Sequence, residues 1–196
     1  MFNRNFMILT CGTVLSSAAA FAQEDYTAYK SEVTVQALGS YVKQTTQYGI
    51  KQDATNSGGV LGTYRYWFDR HNGVEANYAW TQNTEKYNQF GVNNNSHEVS
   101  AAYVFRMPMK RWSPFLLGGA GALVFDPQNY AAASTQTRAA FVYGGGADIN
   151  LTTHLFVRGE YRGLVYNSPT YDLASLKGQD RVTHRAEPTI GIGWRF

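Results

Sequence analysis

Residues 189–196 read "TIGIGWRF". Period-two alternation puts Ile190, Ile192, Trp194 and Phe196 on one face of a strand, and Thr189, Gly191, Gly193 and Arg195 on the other. The last residues of a domain are usually a poorly ordered tail. An apolar face kept up to the final aromatic residue therefore reads as a built strand, and whatever meets that face decides the fold.

The same alternation recurs back along the chain. It is found in "VTVQALGSYV" (33–42), "VLGTYRYWF" (60–68), "VEANYAWT" (74–81) and "EVSAAYVFRM" (98–107). It continues in "FLLGGAGALVF" (115–125), "RAAFVYGGGADI" (138–149), "LFVRGEYRGLV" (155–165) and the closing stretch at about 184–196. Each set opposes aromatic or branched residues to polar or small ones, which predicts strands rather than helices. The connections alternate in length. Short turns are expected at "DRHNG" (69–73), "MPMKRWS" (107–113) and "NLTTH" (150–154), and polar loops around 44–57, 82–96, 126–137 and 167–182. Short turns at one end and long loops at the other predict an all-β, eight-stranded antiparallel up-and-down barrel. Its four long loops would be extracellular and its three short turns periplasmic.

Alternation alone does not say which face points outward, since a soluble ligand-binding barrel has the same period in the opposite sense. Strand length fits a membrane, where a tilted strand needs about 9–11 residues. The polar faces carry Arg65, Arg106, Arg138, Arg158, Arg162, Arg185 and Arg195 against Glu75, Glu98, Asp148, Glu160 and Glu187, and they carry no lysine. Arginine is the cation suited to bidentate pairing with carboxylates in a confined space. Tyr, Trp and Phe gather near strand ends, as in the girdles of membrane barrels. The apolar face is therefore expected toward lipid and the charges toward the lumen. Eight strands leave an interior that side chains can fill, so the charges read first as a structural network and second as a narrow ion route. Small residues at 118–122 and 144–147 read as room for large lumen neighbours.

The first residues explain the destination. Arg4 is the only charge before Glu24, an apolar run "FMILTCGTVL" follows, and Ala20-Phe21-Ala22 forms a small-residue cleavage site before Gln23. This is the pattern of a secretory signal peptide over 1–22, with residues 23–196 as the barrel domain. Cleavage removes Cys11, the sole cysteine, so no disulfide supports the mature chain. A mean hydropathy of −0.35 without a second long apolar run excludes a helical membrane protein. Without Arg4 the excess of Lys and Arg over 14 Asp and Glu is too small to argue for nucleic acid.

With these residues in hand, the chain resembles the small outer-membrane β-barrel family that includes the OmpA transmembrane domain, OmpX and uncharacterised outer-membrane barrel domains. The likeness is most specific in "TIGIGWRF" and in the glycine-rich "SPFLLGGAGALVF". It implies that Thr189, Gly191, Trp194 and Phe196 form the terminal signal read by the barrel-assembly machinery, with periplasmic chaperones during transit. It also implies an outer-membrane location among lipid and lipopolysaccharide, as a monomer. Pro188 departs from a regular strand, because it cannot donate to a ladder, and counting back from Phe196 places it near the outer rim, where a bulge would absorb it.

The functional expectation is a non-enzymatic barrel with a structural or surface-interaction role. The alternatives are a lipid A-modifying enzyme or a narrow channel. Ser96, His97 and Glu98 are adjacent, and a strand sends His97 away from both neighbours, which is poor geometry for a nucleophilic relay. His184 and Glu187 likewise alternate to opposite faces. His71 and His154 read as plain polar turn residues. No cofactor or metal is expected, since the mature chain lacks cysteine and its histidines are scattered. Gly144-Gly145-Gly146 lacks the Lys-Ser/Thr of a phosphate loop. Lys51, Lys86 and Lys177 are read as solvated loop charges before lipopolysaccharide ligands.

Overall fold

A computed structural model describes residues 26–42, 45–47, 50–54, 57–87, 90–127, 135–167 and 182–196. The expected signal peptide with Ala20, Ala22 and Gln23, much of the loops at 126–137 and 167–182, and Lys177 lie outside the described residues. After a short 3-10 turn (Tyr26–Ala28) come β1 (Ser31–Val42), β2 (Thr45–Gln47), β3 (Ile50–Ala54), β4 (Ser57–Trp67) and β5 (Asn72–Tyr87). They are followed by β6 (Phe90–Arg106), β7 (Trp112–Pro127), β8 (Gln136–Asn150), β9 (Leu155–Asn167) and β10 (Val182–Arg195).

Every strand pairs antiparallel with its neighbours, and the β5–β6 and β1–β10 pairings close β1 and β4–β10 into an eight-stranded up-and-down barrel. Closure satisfies the backbone polar groups of the strands without water, which is the condition for spanning lipid. At the seam Glu32 faces Arg195, Val35 faces Ile192 and Ala37 faces Ile190. Phe196 completes that seam. Its N–H donates to Ser31 O at 2.9 Å, and Ser31 N–H donates to Phe196 O at 3.1 Å.

The alternation resolves as residue burial. On β1, Val33, Val35, Ala37 and Tyr41 are exposed, whereas Glu32, Thr34, Gln36, Leu38 and Ser40 are buried. On β10, Ile190, Ile192, Trp194 and Phe196 face outward, and Thr189 and Arg195 inward. No helix among the described residues is long and apolar enough to cross a membrane.

Three expectations need correction. Residues 44–57 and 82–96 were expected as long loops, yet β2 pairs with β3, β3 with β5, and β5 with β6 as far as Tyr87↔Phe90. These segments are polar at nearly every position, so they lack the two-faced apolar period of a membrane strand while still supporting backbone pairing. The second correction concerns β7, where Phe115, Leu117, Leu123 and Phe125 point inward and Leu116 and Gly118 outward. Apolar side chains therefore fill part of the interior, joined by Val104, Val142, Leu164 and Tyr166. Room is made by small inward neighbours: a Cβ on Gly146 would lie 2.9 Å from the Phe115 ring, and one on Gly193 would lie 2.2 Å from the Phe156 ring.

Pro188 is the third. It sits within β10 opposite Tyr161, not at the rim. On the β1 side the ladder skips from Leu38↔Thr189 to Tyr41↔Ala186. The register is the same before and after this gap, so no bulge forms. The missing N–H simply falls where pairing to β1 lapses, beside Gly39.

Candidate functional site

Among the described residues, twelve ionisable side chains are buried in the interior: Arg65, Arg106, Arg158, Arg162, Arg185 and Arg195, with Glu32, Glu75, Glu98, Asp148, Glu160 and Glu187. Six basic groups meet six acidic ones. Burying a charge costs several kcal/mol unless it is paired and hydrogen-bonded, which makes the pairing decisive.

The tier nearest the turns is built on Glu32. Its Oε1 accepts from Arg195 Nε and from Arg106 Nη1, each at 3.0 Å, and its Oε2 accepts from Arg158 Nη2 at 3.0 Å. Asp148 grips Arg158 in a two-pronged pair, at 2.7 Å to Nε and 2.8 Å to Nη2. Arg65 donates Nε and Nη2 to Glu75 Oε2 at 3.0 and 2.7 Å, and Asn77 steadies Glu75 Oε1 at 2.8 Å. Arg65↔Glu75 and Asp148↔Arg158 are directly opposite across the hairpins closed by the first and third turns. Each pair is thus set by local chain geometry.

Aromatic rings line the same tier. The Arg106 guanidinium lies 3.8 Å from the Trp67 ring centroid, Arg195 lies 4.0 Å from Phe156, and Arg65 lies 4.3 Å from Phe115. Such stacking holds a desolvated guanidinium by its faces while its edges serve carboxylates.

Glu160 links this tier to the next, 3.9 Å from Arg65 Nη2 and 3.6 Å from Arg162 Nε. These are ion contacts only, and neither Glu160 oxygen has a hydrogen-bond partner among the described residues. Above it, Arg162 pairs with Glu98 and donates to Ser100 Oγ at 3.0 Å. Arg185 pairs with Glu187 at 2.7 Å, and donates to Ser96 Oγ at 3.1 Å and Thr81 Oγ1 at 2.8 Å.

Eleven of the twelve sequence-derived charges therefore lie inside together. Arg138 stands apart: it is half-buried near the loop end of β8 and donates to Gln136 Oε1 at 3.1 Å. The residue that the sequence reading missed is Glu32, the hub. It lies on the Thr34–Gln36 face one step before the alternating run was started, and parity alone would have found it.

The structure separates the enzyme candidates. Ser96 and Glu98 point inward, Ser96 onto Arg185 and Glu98 onto Arg162, while the His97 ring accompanies Tyr78 at 2.9 Å on the outside. His184 meets the Tyr143 hydroxyl at 2.8 Å on the outer surface, whereas Glu187 is buried. The turn histidines are more than polar fillers. His154 stacks on Trp194 with centroids at 5.1 Å and meets Tyr29 at a tilt with centroids at 4.6 Å, and His71 stacks on Phe105. Among the described residues no three His, Cys, Asp or Glu side chains form a group able to hold a metal ion. Thr189 is buried against Gln36 at 2.9 Å, and Gly191 leaves room beside Val35 and Gln36. Trp194 and Phe196 are exposed on the outer face. The side chains of Lys51 and Lys86 lie outside the described residues.

Comparison with known proteins agrees with this architecture. The sequence profile of the outer membrane protein beta-barrel domain matches residues 8–196. No curated protein sequence matches the chain. Among solved structures, the chain is similar to Ail, the attachment invasion locus protein of Yersinia pestis, crystallised with the heparin analogue sucrose octasulfate. That match has 21% identity, covers 86% of this chain and 99% of that one, and has a TM-score of 0.55. Neisserial surface protein A is similar at 11% identity over 85% of this chain and 97% of its own, with a TM-score of 0.67. OprG from Pseudomonas aeruginosa is similar at 16% identity over 86% and 96%, with a TM-score of 0.57. At these identities the likeness carries the fold.

Proposed function

The chain belongs to the outer membrane protein beta-barrel domain family, and from that premise we propose that it is a non-enzymatic barrel whose packed, ion-paired interior keeps it closed while its loop end serves surface interaction or envelope integrity. The observation that carries this reading is the cross-barrel pairing of six buried arginines with six carboxylates, walled by Trp67, Phe115 and Phe156. A solute path would have to break several buried ion pairs at once. The reading extends to biogenesis. A leader removed before Gln23 delivers the chain, and the assembly machinery reads Thr189, Gly191, Trp194 and Phe196 at the turn end of the seam.

Planar-bilayer recording of the purified protein, beside lipid A mass spectrometry of a deletion strain, tests the proposal. The expected results are no steady unit current and an unchanged acyl pattern. A steady current would overturn closure in favour of a channel, and an altered acyl pattern would overturn the non-enzymatic reading.

A further inference from the structure

The turn end of the barrel presents basic side chains. Lys30, Arg70, Lys110 and Arg111 are all exposed there. Asp69 is the one carboxylate side chain in the described turn segments 68–71, 107–111 and 151–154, and its oxygens already accept from the Asn72 side-chain amide and the N–H groups of His71 and Asn72.

These cations form a continuous arc. Trp67 N–H donates to Lys30 O at 2.8 Å, which seats the chain entering β1 against the first turn. Arg106 then donates its N–H to His71 O at 2.7 Å and its Nε to Arg70 O at 3.3 Å, seating the first turn against the second, which holds Lys110 and Arg111. The backbone thus fixes three cationic points side by side along one half of the rim. The other half, at residues 151–154 and 196, presents Thr152, Thr153, His154 and Phe196.

Depth selects the partner. Exposed apolar side chains accompany the arc: Phe68, Met107 and Met109 in the same turn segments, and Phe105 and Trp112 at the adjoining strand ends. Aromatic residues of this kind sit at headgroup level in a membrane barrel, so the adjoining cations reach lipid phosphates rather than bulk periplasm. We propose that this arc binds the headgroups of anionic phospholipid in the periplasmic leaflet, as an interaction surface separate from the loops and independent of whether the lumen is closed. Clustered Lys and Arg at a membrane surface attract anionic lipid, and the attraction fades beyond a Debye length.

The test uses the chain folded into phosphatidylcholine vesicles containing a trace of spin-labelled phosphatidylglycerol or phosphatidylcholine, so that the relative association of each lipid with the barrel is read directly. The expected result is a severalfold preference for phosphatidylglycerol that shrinks at high salt. It should fall toward parity in the Arg70→Gln/Lys110→Gln/Arg111→Gln variant and partway in Lys110→Gln/Arg111→Gln, which alters one turn only. Heat-shifted gel migration confirms that each variant is folded. Parity in the unaltered protein, or an unchanged preference in both variants, overturns the proposal. Cosedimentation with isolated sacculi that these substitutions abolish, without any lipid preference, would reassign the arc to cell-wall glycan and overturn it equally.

Discussion

Glu32 and Arg195 face each other across the seam where the first and last strands of the barrel meet, Oε1 to Nε at 3.0 Å. The same carboxylate also receives Arg106 and Arg158, so one side chain ties β1 to β6, β9 and β10. Replacing Glu32 by Gln removes the charge while nearly preserving its volume, and leaves buried guanidiniums short of an anion. Breaking a buried pair in this way costs about 3–5 kcal/mol. Urea unfolding in lipid vesicles should show a loss of that order, and a loss under about 1 kcal/mol would mean that Glu32 is not the hub.

Glu160 gives the contrasting case. It is as deeply enclosed as Glu32, but it touches Arg65 and Arg162 only at 3.9 and 3.6 Å and accepts no hydrogen bond among the described residues. Glu160→Gln should therefore cost clearly less than Glu32→Gln in the same measurement. Equal costs would show that net charge in the lumen, rather than specific geometry, sets stability.

The barrel was legible because membrane strands are two-faced: Ile190, Ile192 and Trp194 must meet lipid, and Arg195 cannot. Parity therefore put Arg195 on the buried face, but the run began one step too late for Glu32 and took in Arg138, which is only half-buried. The pairing was less legible. Arg65–Glu75 and Asp148–Arg158 follow from hairpin register, but Glu32 with Arg106 or Arg158 joins strands that are not adjacent in the sheet, and only closure brings them together. The inward Phe115 and Phe125 of β7 broke the simple rule of apolar side chains outward: Phe115 offers a ring face to Arg65, and Phe125 packs beside Tyr166 in an interior apolar cluster. The polar strands near Tyr87 and Phe90 were hidden for the opposite reason: beyond the lipid neither face has to be apolar, so the period vanishes while the backbone ladder persists.

In the first turn, the Asp69 carboxyl is held below its ordinary range by the Asn72 side-chain amide and by the N–H groups of His71 and Asn72. A depressed folded-state value means that its contribution is present above the unfolded-state value, about 3.9, and is lost as pH falls through the lower folded value. Asp69→Ala should accordingly be less stable than the parent at neutral pH, with the gap closing in acid below pH 4. A gap independent of pH would assign the loss to turn propensity instead of the carboxylate. The residue is fully exposed, so the whole effect should be small.

Phe196 joins the seam through its backbone, with reciprocal bonds to Ser31, while its ring remains exposed on the outer face. Phe196→Ala keeps both backbone bonds and removes only the ring, so the unfolding free energy in vesicles should change by no more than about 1 kcal/mol, a typical surface effect. If the ring is part of what the assembly machinery reads, insertion into the outer membrane of living cells should fall severalfold in the same variant. The decisive comparison is between the folded fraction recovered from cell envelopes and the stability of barrels refolded in vitro. Parallel losses in both would make Phe196 an ordinary packing residue at the lipid boundary. A loss confined to cells would place its role before the seam closes, when β10 is still an unpaired edge and the ring has no neighbour of its own.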